Sequence, residues 1–373
     1  MKGLPSVRSQ IAKLVPGRSD LRADLKAERQ RVSQLRKELR QAQAEAERDG
    51  IVAALESASF TRDLFALRRA NAKLRGLDPE HVHPQRQLPV KLHNYSLAAS
   101  HGVPTPQVYA VWGSPKKIDL RELPDRFVVK GDRGSNGRGV LPLTRVEDDL
   151  YELAGGKKRF TGAEVAKTLA AQKSVSGPYF AEEFLEQPQA STIPDDIKVY
   201  AFYGEIGQTL VKRVRAHGDS STTTRQYFDD QGRVLGQVLK TARMEATLEP
   251  PVDYAEMMRI ARHLSRAVGT SFIRVDLYQT DRGPVLGELT RTPGGTVPYE
   301  AEHDRLLGEM WEEARYRLEL DLIRGRPVGR LTGGIDAPNY YPSTHFSHQN
   351  ESRPWAKEPS TCDRWCGIDE EVP

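Results

Sequence analysis

The chain has 373 residues, a formal net charge of +4 and a mean hydropathy of −0.59. This length allows one large domain with several lobes or two ordinary domains, each with a substantial core. No apolar run approaches the roughly 18 residues of a membrane span, and Met1–Val15 has no apolar core of the signal-peptide kind. We therefore expect a cytoplasmic protein without a membrane span.

The charge is unevenly distributed along the chain. Residues 1–50 contain twelve Lys or Arg and seven Asp or Glu, whereas the rest is close to neutral. The basic excess belongs to the N-terminal segment, so nothing else in the chain predicts binding to nucleic acid. The two cysteines, Cys362 and Cys366, imply no disulfide framework. With His345 and His348 upstream, their spacing fits no standard zinc finger.

Residues 1–50 predict a basic helical arm. Ser19 and Asp20 favour a helix start, no Gly or Pro follows until Gly50, and apolar residues recur every three or four positions, interrupted by Glu28. This pattern indicates a coiled coil of about four heptads, through which residues 19–48 would form a homodimer or hold a partner. The alternative is a single amphipathic helix packed on its own domain.

Residues 51–125 are predicted to form a helical lead-in and a reduced N-terminal lobe. A helical pattern over 51–76 precedes a turn with His81 and His83, which lack the Cys or carboxylate neighbours of a metal site. Further elements expected along the chain are the helix Lys91–His101, the strand Gln107–Trp112, and the helices Thr161–Lys173, Tyr254–Val268 and Leu306–Ile323.

Arg126–Leu143 predicts two strands joined by a glycine-rich loop. Phe127–Lys130 forms the first strand and Val140–Leu143 begins the second. Glycines let the backbone approach phosphate oxygens, and Lys130 adds a compact positive charge. No helix follows, so the loop is neither a Walker A loop nor a dinucleotide fingerprint. It fits a flap over phosphates, or a surface loop without function.

Three strands are expected downstream of this loop. Tyr179–Glu186 ends in backbone and apolar groups that suit a flat ring, and Asp195–Gly204 carries Lys198 on one face. Gln208–Val214 leads into the Ser/Thr-rich segment 217–224, which has the composition of a substrate loop that becomes ordered on binding.

The most informative stretch is a predicted hairpin of strands Phe272–Tyr278 and Pro284–Thr290. Alternation places Arg274 and Asp276 on one face, and antiparallel pairing would bring Glu288 next to Asp276. Two carboxylates, a hydroxyl and a guanidinium on a rigid sheet suit Mg²⁺ and its bound phosphates. The alternative is an exposed hairpin whose charges are solvated.

In this order, the segments resemble the ATP-grasp superfamily. FVVKGDRGSNG, YFAEEFL, DDIKVYAFYGE and RVDLY with GELTRTPGG resemble its TupA-like branch, named for teichuronopeptide biosynthesis, over about residues 90–325. The resemblance implies an α+β ATP-grasp fold, with two α+β lobes that grip ATP in a domain at 126–328. The helical arm precedes this domain, and an irregular tail, 329–373, follows it.

The resemblance also implies how ATP and Mg²⁺ are held. ATP would be bound by Lys130 at the α/β-phosphates, by Ser135, Asn136 and Gly137 in the flap, by Glu182, Glu183, Phe184 and Leu185 as the adenine hinge, and by Lys198 at a phosphate. Mg²⁺ would be bound by Asp276, Glu288 and Thr290. Thr290 stands where the family often has Asn, which leaves a second metal ion open.

The implied activity is that of a carboxylate-amine ligase acting through an acyl phosphate. Its catalytic residues would be Arg274 at the oxyanion, Lys198, and Arg213, which with Arg215 would clamp an acidic substrate. Substrates would be a small carboxylate and an amine, with a glycan or peptide acceptor in cell-wall or polysaccharide biosynthesis. Two alternatives stay open: a kinase that phosphorylates a hydroxyl, and a coiled-coil scaffold with a degenerate ATP site.

Overall fold

The computed structural model describes residues 18–134, 137–155, 158–187, 193–214, 223–241, 244–295, 297–345, 347–348 and 362–367. The chain divides into two compact units, Met1–Ser57 and Ala58–Pro373. Among the described residues, no helix is long and apolar enough to cross a membrane.

The first unit contains one long helix, α1, over Arg18–Glu56. The prediction that the helix ends at Gly50 is wrong, because an interior glycine costs only about 1 kcal/mol relative to Ala and the flanking residues are good helix formers. Leu25, Leu35 and Leu39 are more than half exposed. The apolar seam therefore has the surface that a coiled coil needs, and the homodimer stays a prediction.

The second unit contains two antiparallel sheets. The six-stranded sheet has the order β1-β6-β2-β3-β4-β5 and the five-stranded sheet the order β11-β10-β7-β8-β9. The strands are β1 Val108–Trp112, β2 Arg126–Arg133, β3 Val140–Glu147, β4 Leu150–Leu153, β5 Arg159–Thr161, β6 Ser176–Glu183, β7 Asp196–Phe202, β8 Glu205–Arg213, β9 Thr224–Phe228, β10 Ile273–Thr280 and β11 Gly283–Thr290. The predicted strands are therefore present. Some, such as β2 and β3, are longer than predicted, whereas β6 ends at Glu183 rather than Glu186 and β7 is shorter at both ends.

Seven helices accompany these sheets in the described part of this unit. They are α2 Phe60–Leu77, α3 Pro84–Gln87, α4 Lys91–Ser100, α5 Gly162–Ala171, α6 Tyr254–Val268, α7 Ala301–Ile323 and α8 Cys362–Trp365. The predicted helix over 51–76 is interrupted, because Ser59 caps α2 by accepting from the Arg62 amide. Asp304 of α7 accepts hydrogen bonds from the Ser59 and Thr61 hydroxyls and thereby fixes this start.

Each sheet has its own apolar core. Helix α5 covers the six-stranded sheet, where Val165 and Leu169 pack with buried Phe127 and Leu143. Helix α6 covers one face of the five-stranded sheet with its apolar stripe, and the inward residues of β7 and β10 fill the space between them. On the opposite face, Tyr200, Phe202 and Tyr227 pack with Phe60 of α2 and Trp311 of α7. Polar side chains occupy the part of that face that lines the cleft.

Several described residues after α7 pack on the end of α6. Leu331, Trp365 and Cys366 pack on Ala267 at the end of α6, and Arg266 donates to the Gly367 carbonyl at 2.7 Å. Cys366 is buried and disulfide-bonded. The sequence implied no disulfide framework, so this bond was not predicted. A disulfide sulfur cannot serve as the thiolate ligand of a zinc ion.

Candidate active site

A cleft of ≈ 750 Å³ is lined by strands of both sheets. Cross-strand pairing explains its polar floor on the five-stranded sheet, because directly paired antiparallel residues share one face. Asp276 pairs with Glu288 on one side and with Lys198 on the other, so the predicted adjacency of the two carboxylates is confirmed. A neighbouring row places Asp196, Lys212 and Arg225 side by side.

Asp276 is the centre of this polar floor. Arg274 donates to both of its carboxylate oxygens at 2.6 and 2.7 Å. Lys198 donates to it at 2.8 Å and to Asp196 at 2.6 Å. Burial alone would raise the pKa of Asp276, but the charges of Arg274 and Lys198 lower it. The carboxylate is therefore ionised and fixed in direction by two cations.

The pKa values of the two cations move in the opposite direction. Burial alone would lower the pKa of Lys198, yet the charges of Asp196 and Asp276 raise it. The same balance raises the pKa of Arg274 through Asp276. Both side chains therefore remain charged across the physiological range, as electrostatic stabilisation of a reacting anion requires.

On the six-stranded sheet, Lys130 lies at the opposite wall of the cleft. It forms an ion pair with Glu182, and Tyr95 of α4 donates to the same carboxylate at 2.7 Å. Burial, together with the charge of Glu182, raises the pKa of Tyr95 well above its usual range. The Glu182 side chain is thus held by two partners inside the protein, although the sequence placed it in the adenine hinge.

The other hinge residues also line the cleft. The Glu183 amide donates to the Gln107 carbonyl at 2.8 Å, and its carboxylate accepts from Arg282 at 2.6 Å. The Glu183 amide is therefore occupied within the sheet, and the role of the Glu183 and Leu185 backbone as the adenine hinge stays a prediction. Phe184 and Leu185 follow the end of β6 at the cleft wall.

The glycine-rich hairpin joins β2 to β3 as predicted. The Gly131 amide donates to the Gly139 carbonyl at 3.0 Å, which closes the hairpin. Gly139 has φ +71° and its Cβ would lie 2.5 Å from Val175, so only glycine fits there. Gly137 lines the cleft, whereas Ser135 and Asn136 lie outside the described residues.

The predicted acid clamp is only partly described, and Arg213 does not line the cleft. It donates to both oxygens of the buried Asp195 at 2.8 and 2.7 Å, which raises the pKa of Arg213. Arg215 lies outside the described residues. Thr290 is also absent from the cleft lining, and its hydroxyl accepts from Arg274 at 3.4 Å.

Three basic residues of the cleft were not predicted from the sequence. Lys91 of α4 lies 3.5 Å from a Glu288 carboxylate oxygen. Lys212 and Arg225 are cross-strand partners that line the cleft. In the described part of the chain, neither Lys212 nor Arg225 has an ion pair or a side-chain hydrogen bond. Mainly because of burial, the pKa of Lys212 is lowered.

The carboxylates of the cleft fit a particular kind of metal binding. No group of three or more His, Cys, Asp or Glu side chains that could hold an ion occurs among the residues described. Mg²⁺ is usually held by one or two carboxylates together with substrate phosphates. Asp276 and Glu288 match that donor set. The His81–His83 turn does not, since the His83 ring caps α3 by accepting from the Gln85 amide at 3.1 Å.

A glycine-rich hairpin on one antiparallel sheet and an acidic hairpin on the other, both lining one cleft, define an ATP-grasp fold. The family model of TupA-like ATP-grasp proteins matches residues 74–312. The chain therefore belongs to the TupA-like ATP-grasp family. Among curated proteins, no relative matches it.

Solved ATP-grasp structures resemble the chain only distantly. The D-alanine–D-alanine ligase of Bacillus anthracis, complexed with ATP, has 15% identity and a TM-score of 0.40, over 64% of this chain and 69% of the ligase. The D-alanyl-alanine synthetase A of Vibrio cholerae has 14% identity and a TM-score of 0.40, over 64% and 67%. The ATP-grasp ligase PsnB with its minimal precursor has 13% identity and a TM-score of 0.33, over 61% of each chain. Similarity at this level says nothing about the substrates of this chain.

Proposed function

We propose that this protein is an ATP-dependent carboxylate-amine ligase that forms an amide through an acyl phosphate. The observation that carries the proposal is the arrangement of Lys130, Lys198, Arg274, Asp276 and Glu288 around one cleft in a member of the TupA-like ATP-grasp family. Three cations and two carboxylates on rigid strands suit a triphosphate with its metal ion.

ATP would lie along the cleft with its adenine at the end of β6. Phe184 and Leu185 would contact the ring edge, and Val128 and Leu210 line the cleft with apolar surface for its faces. The phosphates would extend toward Lys130 and Lys198, with Gly137 of the hairpin above them.

Asp276 and Glu288 would hold Mg²⁺, which when bound offsets charge on the transferring phosphate. Both residues lie on adjacent strands of one rigid sheet. Arg274 and Lys198 keep the Asp276 carboxylate ionised. The protein therefore presents hard oxygen ligands before the nucleotide arrives.

The reaction needs no protein nucleophile. A substrate carboxylate oxygen would attack the γ-phosphorus of ATP, and ADP would leave. The amine nitrogen would then attack the acyl carbon, lose a proton, and expel inorganic phosphate with its bonding electrons. Arg274 would donate to the oxyanion in both steps, a contact typically worth about 3 kcal/mol, and its two bonds to Asp276 keep it oriented.

Lys212 and Arg225 are the better candidates for holding the acid substrate. They line the cleft, whereas Arg213 is bound to Asp195. Burial of an amine without a direct partner costs free energy, which a substrate carboxylate would recover. The glycan or peptide acceptor in cell-wall or polysaccharide biosynthesis is a proposal that follows from the family name alone.

The test is Mg-ATP turnover with pooled amino acids and small acids, in the presence of hydroxylamine, scored for ADP and hydroxamate. We expect both products together, because hydroxylamine traps an acyl phosphate. If a hydroxyl substrate gives ADP without hydroxamate, the protein is a kinase and not a ligase. If the protein does not bind Mg-ATP, the coiled-coil scaffold with a degenerate ATP site becomes the better interpretation.

A further inference from the structure

Four arginines from separate elements gather beside the cleft. Arg75 lies in the last turn of α2 and Arg86 in α3, while Arg133 ends β2 and Arg291 follows β11. We call these four residues the arginine cluster. In the described part of the chain, none of them forms an ion pair with a carboxylate.

The arginines of the cluster repel one another. Burial lowers the pKa of Arg291, and the charges of Arg86, Arg133 and Arg75 lower it further. Burial and the charge of Arg133 likewise lower the pKa of Arg86, with a partial offset from Asp78. Arg86, Arg133 and Arg291 are half-buried and Arg75 is exposed. A partly buried group of like charges is unfavourable unless an anion offsets it.

Hydrogen bonding in the cluster is also incomplete. The His81 ring contacts two arginines. Its Nε2 lies 2.8 Å from a guanidinium nitrogen of Arg86, and its Nδ1 lies 3.3 Å from a guanidinium nitrogen of Arg133. Burial and these two arginines lower the pKa of His81, so the ring is neutral and has one acceptor nitrogen. Both guanidinium groups are donors only, so one of the two contacts is not a hydrogen bond.

Arg86 carries a second unmet donor. Its Nε atom is buried, and no acceptor for it exists among the described residues. An unsatisfied buried donor is uncommon in a folded protein and costs roughly 1–3 kcal/mol when no ligand or ordered group meets it. Arg291 does donate to the Gln85 carbonyl at 3.0 Å, but the Arg86 Nε donor has no acceptor among the described residues, and no carboxylate there forms an ion pair with the cluster.

The position of the cluster relates it to the reaction. Arg133 follows Lys130 on β2, and Arg291 follows Glu288 at the end of β11. Lys91 connects the two strands, because it lies 3.5 Å from Glu288 and 3.5 Å from the Gly134 carbonyl oxygen. The cluster thus lies just past the ends of two strands whose side chains line the cleft.

We propose that the arginine cluster binds an oxyanion of the acceptor substrate, a carboxylate or phosphate group that the amine-bearing molecule carries away from its reacting nitrogen. Guanidinium groups match the oxygens of both anions bidentately. This inference rests on the proposed ligase function, because only a second substrate would need a site beyond the cleft. It assigns the acceptor to the class of acidic molecules.

Binding is tested by calorimetry on the full chain, with the cleft saturated by Mg²⁺ and a non-hydrolysable ATP analogue. The probes are propane-1,2,3-tricarboxylate and inorganic phosphate, and a preference for either identifies a carboxylate or a phosphate on the acceptor. We expect Arg86→Gln to weaken binding about tenfold or more, Arg86→Lys to weaken it less, and Arg69→Gln, an exposed control on α2, to leave it unchanged. Absence of binding to the wild type, or equal loss in the control, would overturn the proposal.

A hydroxamate assay tests the acceptor site separately from the ligase function. Hydroxylamine carries no anionic group, so Arg86→Gln should form ADP and hydroxamate at the wild-type rate. Loss of hydroxamate in this variant, with its thermal unfolding unchanged, would place Arg86 in the chemistry and overturn the acceptor site. If the wild type binds the probes but makes no hydroxamate, the ligase function is contradicted and the oxyanion site is not.

Discussion

Two groups of basic side chains in the second unit differ in what neutralises them. On the five-stranded sheet, Arg274 and Lys198 converge on the buried carboxylate of Asp276. In the arginine cluster, Arg86 and Arg291 face other guanidinium groups. Arg274 and Lys198, which we propose act in the reaction, are held by a carboxylate of the protein, whereas the arginine cluster has a net positive charge to offer the proposed ligand. The predictions below test that distinction.

The largest expected effect is a loss of activity, without a loss of folding, when a carboxylate of the five-stranded sheet is removed. Glu288→Gln removes a carboxylate while keeping its size, and we expect turnover to be abolished, by at least about a thousandfold. Circular dichroism and thermal unfolding should match the wild type, since 27% of the Glu288 side chain is exposed. Near-normal activity would contradict the metal assignment.

Asp276→Asn should reduce stability as well as activity. It leaves Arg274 without its anion and Lys198 with Asp196 alone, and removing one partner of a buried ion pair typically costs about 3–5 kcal/mol. The pKa of Asp276 is lowered in the folded protein, so its contribution is present above the unfolded value of about 3.9 and lost as pH falls through the folded pKa.

Urea unfolding measured between neutral and acidic pH checks this effect. The difference between wild type and Asp276→Asn should be largest near neutral pH and shrink toward the acidic end. A difference that does not change with pH would mean that the carboxylate charge is not what stabilises the sheet. Glu183→Gln, which affects an exposed pair with Arg282, serves as the control.

Smaller effects are expected for two adjacent residues of β8, Lys212 and Arg213, and they should differ in kind. Lys212→Met is expected to raise the KM for the acid substrate about tenfold, because it removes an unpaired charge from the cleft. Arg213→Met should lower stability instead, since it leaves the buried Asp195 carboxylate with only the Gln187 amide and without its charged partner. Steady-state kinetics and thermal unfolding of both variants decide the assignment, and the reverse pattern would restore Arg213 as the clamp.

The smallest effect is expected in the arginine cluster without ligand. Arg86→Gln removes one of several like charges, so thermal stability should stay constant or increase by up to about 0.5 kcal/mol at low salt. The gain should vanish at high salt, because salt screens repulsion between partly exposed charges. A clear loss of stability at both salt concentrations would mean that Arg86 is a structural residue.

Local patterns predicted much of this site. The β10–β11 hairpin follows from strict alternation around a turn, and this fixes Asp276 beside Glu288. Lys130 was found because a strand with a glycine-rich exit is a local signal. These features depend on residues close in sequence, for which side-chain period and turn chemistry are sufficient.

Features that depend on distant pairing were missed. Lys212 and Arg213 are neighbours on one strand, and only the pairing of β8 with β7 and β9 decides which of them faces the cleft. Lys91 and Tyr95 meet the strands through tertiary packing of α4, and no helical pattern indicates their polar partners. The arginine cluster combines four separate segments in the same way.

Helix α4 connects both sheets at one edge of the cleft. Tyr95 binds Glu182 of the six-stranded sheet, and Asn94 donates to the Leu289 carbonyl of the five-stranded sheet at 3.1 Å. Helix α4 therefore joins the two sheets at the β11 edge of the cleft. If the cleft opens, the sheets should separate most at the opposite edge, near β9. Amide hydrogen exchange should then be slowest in α4 with or without nucleotide, while nucleotide should slow it most in β9. A nucleotide would then close the cleft from the side of β8 and β9, the strands that carry Lys212 and Arg225, the proposed substrate-binding residues.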